Sequence, residues 1–226
     1  MTKPDHTGAT RDFFERRAGQ WSGQYTAGGG MSDRVERFIV PLRARVAEGL
    51  PILDLGCGTG EIARAAGAWT VTAADLSANM LDQARRQAGA AAVTWVLLDG
   101  GPLPFADAAF SAVLSSSVLE YVADVPAHLA EVARVLDRGG WYLATVPDPR
   151  HSVRKAERFK QRLAHCGLVF GLISLTRLRS DYEYLRLSIN RFALDRWETM
   201  LADMGLVCDA IEPPHHPLAL LVARKQ

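Results

Sequence analysis

One short stretch constrains the fold more than any other. Leu53-Asp54-Leu55-Gly56-Cys57-Gly58-Thr59-Gly60-Glu61 closes an apolar run and leads into a helical pattern at Ile62. Glycine at alternate positions lets the chain turn tightly and lets a ligand approach the backbone more closely than any Cβ would permit. A strand, a turn and a helix are therefore expected here. The dinucleotide fingerprint GxGxxG needs glycine at position 61, where Glu61 stands, so the pattern is GxGxG with Asp54 two positions ahead of it. Two carboxylates beside the turn disfavour a phosphate and suit a cationic amino-acid group.

Around this turn, apolar runs alternate with amphipathic segments from about Pro51 to Pro147. Strands are expected at 51–55, 70–74, 93–97, 112–115 and 141–146, each short and free of internal charge, as strands covered on both faces should be. Helices are expected at 80–87 and 125–136, the second stopped by Asp137-Arg138-Gly139-Gly140. A helix at 194–204 closed by Gly205 precedes two runs, 206–211 and 218–223, joined by Pro213-Pro214-His215-His216-Pro217. That ending reads as a hairpin whose last strand is antiparallel. The expected fold is α/β: a Rossmann-like, doubly wound, seven-stranded sheet with an antiparallel last strand and a helical insertion before the last two strands. The 226 residues are read as one domain: an N-terminal helical cap (1–48), a cofactor-binding core (49–147), a lid insertion (148–191) and a C-terminal helix and hairpin (192–226).

Composition narrows the partners. A net charge of +1 gives no global field for a general nucleic-acid binder. The three cysteines, Cys57, Cys166 and Cys208, form no metal-binding spacing and cannot build a full disulfide framework. No apolar stretch approaches the roughly 20 residues of a membrane span, and a cytoplasmic protein is expected. Charge is nonetheless uneven, because residues 150–180 carry eight Lys or Arg against the single acid Glu157. Val153, Ala156, Phe159 and Leu163 recur at helical spacing beneath these charges, followed by the apolar run 167–173. This segment is expected either to receive a lipophilic or anionic molecule, with peripheral membrane contact, or to pack on the sheet behind a solvated basic face.

Two further acids complete a pattern. Asp75 ends the second strand 19 residues after Gly56, where a carboxylate takes both hydroxyls of a ribose. Asp99 follows the third strand, within reach of an adenine amino group. One acid for an ammonium, one for a ribose and one for an adenine describe S-adenosylmethionine. The chain resembles the class I S-adenosylmethionine-dependent methyltransferases, in particular their small-molecule group. It carries ILDLGCGTG at 52–60, DLSANML at 75–81, LPF at 103–105 and VLEYVAD at 118–124, in that order. The resemblance implies that Gly56, Gly58 and Gly60, with Cys57 between them, wrap the methionine and ribose. It implies that Asp54 supports that loop or the amino group, that Asp75 binds the ribose, and that Asp99 with Gly100 faces the adenine. It further implies packing of Leu76 on the adenine, a backbone contact from Ser115, and closure over the methionine end by Tyr25 and Arg34.

Departures from the family shape the acceptor reading. Tyr121 stands where many relatives have histidine, and Ser115-Ser116-Ser117-Val118 replaces the Asn/Asp-Pro-Pro-Tyr/Phe of amino-methylating nucleic-acid and glutamine enzymes. A small-molecule acceptor, methylated first on oxygen and next on nitrogen or carbon, is expected; an RNA or protein methylase and a non-catalytic cofactor-binding module are the alternatives. His215 and His216 are base candidates because their loop lies at the carboxyl edge of the sheet, and Tyr121 is a third catalytic candidate. His151, His165, Tyr182 and Tyr184 fall in the insertion, His128 reads as a packing or surface residue, and His6 as part of a mobile end. Glu120 either lines the pocket or begins a helix. No metal is expected.

Overall fold

A computed structural model describes residues 5–21, 30–165, 179–212 and 216–226. Two helices, α1 (His6–Trp21) and α2 (Gly30–Arg45), precede the alternating core of β1 (Pro51–Leu55), α3 (Glu61–Ala65), β2 (Thr70–Asp75), α4 (Ala78–Arg85) and β3 (Val93–Leu97). Then come β4 (Phe110–Ser115), α5 (Val125–Val135) and β5 (Leu136–Pro147). The insertion supplies α6 (Ser152–His165) and α7 (Arg179–Leu187), and the chain ends with α8 (Leu194–Asp203), β6 (Leu206–Glu212) and β7 (Leu218–Lys225). The seven strands form one sheet in the order β3-β2-β1-β4-β5-β7-β6, with β7 antiparallel to both neighbours and the β1, β2, β3, β4 and β5 pairings parallel. The order reverses between β1 and β4, and a crevice opens at the carboxyl ends of strands at such a switch point.

Alternation along each strand explains the layers. Leu53, Leu55 and Val113 face one side with Leu129, Val132 and Trp197, while Ile52, Ala112 and Leu114 face the other with Phe38, Leu42 and Ile62. Each is 5% exposed or less, and burying one such large aliphatic or aromatic side chain contributes roughly 1.5–3 kcal/mol. Ser77 caps α4, its Oγ accepting from Met80 N at 3.1 Å, and Asp124 caps α5 through Ala127 N at 3.0 Å.

Three local expectations are corrected. Asp137-Arg138-Gly139-Gly140 is strand and not a helix stop, because α5 ends at Val135 and Leu136 pairs with Phe110 before the register shifts between Phe110 and Ala112. Gly139 takes φ 78° there, a conformation that glycine adopts without strain. His6 does not belong to a loose end: it opens α1, and its Nε2 donates to the Tyr121 carbonyl at 3.0 Å. Most telling is α6, which is turned inside out relative to its sequence pattern. Val153 is 50% and Phe159 66% exposed, whereas Arg154 is only 8% exposed. The inward direction is set by partners, since Arg154 and Glu157 pair at 2.7 Å and Arg191 joins Glu157 at 2.8 Å. Buried charge is tolerated only when paired in this way. No described helix is long and apolar enough to cross a membrane.

Candidate active site

A cavity of about 710 Å³ opens at the switch point, walled mostly by apolar atoms, and runs from the glycine turn to the insertion. One end is made by backbone. Gly56, Gly58 and Gly60 all have positive φ, but the three serve different purposes. A Cβ on Gly56 would overlap Val118, and one on Gly60 would overlap the Trp95 ring. A Cβ on Gly58 would instead meet only the Trp21 indole nitrogen, at an ordinary contact distance of 3.8 Å. Gly58 is thus bare toward the cavity, and a ligand can lie against its main chain.

The turn is held by Asp75. One carboxylate oxygen accepts from Gly58 N at 2.8 Å and the other from Ser77 N at 2.9 Å. Burial pushes the Asp75 carboxyl up from its ordinary value, and these N–H groups pull it back. Asp54 is in a different condition. It is 1% exposed and borders the cavity, yet neither oxygen meets a donor in hydrogen-bonding geometry among the described residues. Burial first, and the Asp75 charge second, push its carboxyl up to about 7. The Ala63 backbone N–H pulls the other way, but a buried carboxylate so short of donors is costly, and a cationic group entering the cavity would offset that cost.

The other end is built from side chains. Phe13 and Phe14 of α1, Tyr121 and Tyr184 form an aromatic cluster over the carboxyl edge, with Phe14 and Tyr121 edge to face at 5.3 Å and Tyr121 and Tyr184 at 5.8 Å. Glu15 of α1 accepts from Ala78 N and Asn79 N at 2.7 and 3.1 Å, fixing the cap helix to the start of α4. Ser117 lines the wall with φ 57°, its N–H donating to Thr145 Oγ1 at 2.8 Å. Backbone strain of this kind concentrates at functional sites.

Of the residues assigned from sequence, Arg34, Asp54, Gly56, Cys57, Gly58, Asp75, Leu76 and Gly100 border the cavity, as does Tyr121. Gly60, Asp99 and Ser115 do not. Gly60 is used up by Trp95, and Asp99 is exposed, with its Oδ1 accepting from Gly101 N at 2.8 Å. Ser115 is fully buried at the end of β4, and Ser116 and Ser117 reach the wall instead. His216 is turned elsewhere: its Nδ1 accepts from Arg37 Nη1 and Leu218 N, both at 3.0 Å. Burial and then the Arg37 charge lower its basicity. Tyr25, His215 and Cys166 lie outside the described residues, and nothing is described of the His165 side chain. Among the described residues no cluster of metal-ligating side chains occurs.

Several residues at the cavity escaped the sequence, His128, Arg154 and Trp21 among them. His128 borders it with Nε2 buried and without a partner among the described residues, and burial pushes its basicity down to about 4, so it is neutral at physiological pH. Its place one turn beyond the Asp124 cap, at the end of α5 facing the carboxyl edge, was the available signal. Arg154 and Trp21 also line the wall. Arg154 was hidden by the misleading helical pattern, and no pattern pointed to Trp21. Glu120 proves to be a buried group, accepting from Ser188 Oγ at 2.6 Å, and not a member of the cavity wall.

A switch-point crevice, a glycine turn and acids at the ends of β1 and β2 place the chain among α/β proteins built to take a ligand at the carboxyl edge of the sheet. Residues 53–144 match the methyltransferase domain model. Relatives agree: the chain is 31% identical over 177 residues to 2-phytyl-1,4-naphtoquinone methyltransferase of Nostoc punctiforme, covering 74% of each chain. It is 34% identical over 136 residues to fatty-acid O-methyltransferase of Mycolicibacterium smegmatis, covering 56% of this chain and 50% of that one. The chain therefore spans about half the length of the latter relative. Magnesium protoporphyrin IX methyltransferase from Synechocystis PCC 6803, solved with bound SAH, shares the fold at a TM-score of 0.71 and 18% identity, covering 97% of this chain and 100% of that one. The chain belongs to the class I S-adenosylmethionine-dependent methyltransferases, and its cofactor is S-adenosylmethionine.

Proposed function

We propose that the protein transfers a methyl group from S-adenosylmethionine to an oxygen of a small, lipophilic, anionic acceptor. The bound cofactor supplies an activated methyl group on a sulfonium, with its own leaving group. Asp54 holds the amino group of the methionine part, the main chain at Gly56 and Gly58 lies along it, and Asp75 meets the ribose while continuing to brace Gly58. Leu76 and Gly100 flank the adenine. Tyr121, Tyr184 and Phe14 keep water from the far end and orient the acceptor, and orientation alone accounts for about 7–11 kcal/mol in well-aligned reactions. An acceptor oxygen that arrives ionised needs no proton removed, which fits a far end where His216 is turned away.

The single observation that carries this proposal is the continuity of the cavity from Asp54 and Gly58 to Tyr121 and Tyr184, one space for a charged cofactor and an apolar acceptor. The fatty-acid and naphtoquinone relatives support a lipophilic acceptor. In this proposal α6 and α7 are the lid over the acceptor, and residues 1–226 act as one domain. The test is thermal melting with S-adenosylhomocysteine and with NAD, followed by label transfer from methyl-labelled cofactor to medium-chain acids, phenols and amines. A melting shift with S-adenosylhomocysteine alone and labelled ester or ether product is the expected result. A shift with NAD only, or label appearing solely in RNA or protein, would overturn it.

A further inference from the structure

The inversion of α6 is the strongest unassigned feature of the molecule. A helix of this composition gains most by burying Val153 and Phe159 and leaving Arg154 in water. The structure does the reverse, exposing Val153 and Phe159 and burying Arg154. Arg154 is aimed at the carboxyl edge of the sheet by two committed nitrogens: Nε donates to the Pro217 carbonyl at 2.9 Å and Nη1 to Glu157 at 2.7 Å. Glu157 is itself held by Arg191 at 2.8 Å, and Arg191 Nε donates to Ser188 Oγ at 3.1 Å. Ser188 in turn binds the buried Glu120. The negative charges of Glu120 and Glu157 keep the guanidinium firmly protonated. Its remaining nitrogen, Nη2, donates to no described residue, and Arg154 lines the cavity beside Tyr121, Tyr184 and Leu218.

A guanidinium fixed at two corners on the wall of a largely apolar cavity is a built receptor for a planar oxyanion. We infer that Arg154 binds the carboxylate of the acceptor through Nη2, so that the substrate class is a lipophilic carboxylic acid. This rests on the proposal that the far end of the cavity receives the acceptor, and it narrows that proposal to one functional group. Arg154 recognises and does not carry out the chemistry. Glu157 and Arg191 are positioning residues that keep its free corner pointed at the ligand. An uncharged lipid of the same length would fill the apolar walls but leave Nη2 unpaired, and a site built for a polar group discriminates strongly against an analogue that lacks it.

The experiment is calorimetric binding of dodecanoate, dodecan-1-ol and dodecyl phosphate to the full chain saturated with S-adenosylhomocysteine. Dodecanoate is expected to bind at least tenfold more tightly than dodecan-1-ol. That preference should vanish in Arg154→Gln, while Arg154→Lys retains part of it. The S-adenosylhomocysteine melting shift in each variant shows whether it is folded and still loads the cofactor, which tests the cofactor end separately. Equal binding of acid and alcohol by the unmodified protein would overturn the inference whatever the variants do. So would an unchanged preference in folded Arg154→Gln, or tight binding of dodecyl phosphate with none of dodecanoate.

Discussion

The two ends of the cavity are made of different materials. At the glycine turn the wall is main chain, arranged by nine consecutive residues and braced by Asp75 through Gly58 N and Ser77 N. At the far end the wall is side chain, gathered from α1, the turn after β4, α6, α7 and the start of β7. A wall of backbone presents the same N–H and C=O groups whatever the neighbouring residues, and therefore suits a constant ligand. Side chains delivered by separate segments can change one at a time, and therefore suit a ligand that differs among relatives. On the proposed function, specificity belongs to the second end, and the affinity common to the family belongs to the first.

That division breaks most visibly at Gly60. Gly60→Val places a branched side chain at φ 77° against the Trp95 ring. Strain and overpacking together should destabilise the protein by about 3 kcal/mol or more, measured by urea unfolding, with cofactor affinity falling alongside. Asp54→Asn should weaken S-adenosylhomocysteine binding about 100-fold, or about 2.7 kcal/mol, while the unliganded protein melts no lower, because a buried carboxylate short of donors has been removed.

The same residue sets a pH dependence. Its carboxyl is raised in the folded state to about 7 from an ordinary 3.8, so the native state holds the proton more tightly than the unfolded chain. Asp54 therefore favours folding below its ordinary value, and that contribution is lost as pH rises through about 7. Ligand affinity runs the opposite way: binding of an ammonium group should strengthen between pH 6 and 8, roughly the window centred on that value, and Asp54→Asn should abolish the dependence in calorimetry.

Asp75→Ala should weaken S-adenosylhomocysteine about tenfold by releasing Gly58 and removing a ribose partner, an effect near 1.4 kcal/mol. Unchanged affinity would remove Asp75 from the site. Tyr184→Phe lies at the other end. It should alter the acceptor KM severalfold and leave cofactor affinity within about twofold, since Tyr184 borders the end of the cavity proposed for the acceptor. If both parameters moved together, the two ends would not be separable. The smallest effect is expected for Phe159→Ser, whose side chain is 66% exposed. Stability should change by no more than about 0.5 kcal/mol, as at other exposed positions. A large loss would mean that the outward face of α6 is covered in solution.

Legibility followed the same division. The sheet, its switch point and the glycine turn were readable because their signals are local: apolar runs bounded by turns, and glycines spaced by two. Arg154 and the inversion of α6 were not. The helical pattern Val153, Ala156, Phe159 predicted the inward face correctly as a periodicity and wrongly as a direction. The direction depends on Glu157, one turn along the same helix, and on Arg191 and the Pro217 carbonyl, which come from distant parts of the chain. His216 misled for a related reason. Loop position placed it at the carboxyl edge, but Arg37 of α2 and the backbone of Leu218 engage its ring, and no local pattern announces that pairing. Asp99 and Ser115 stand outside the cavity wall, one step from Gly100 and Ser116, which border it.

The bond from Gly58 N to Asp75 has a kinetic meaning as well. A glycine-rich turn left to itself samples many conformations, and ordering each residue withdraws roughly 1–2 kcal/mol of backbone entropy. Here the bond ties the turn at the end of β1 to the end of β2, so pairing of the two strands supplies that ordering. Association then has only the nucleoside itself to immobilise, so the turn behaves as a rigid receptor, with little conformational search left for the encounter.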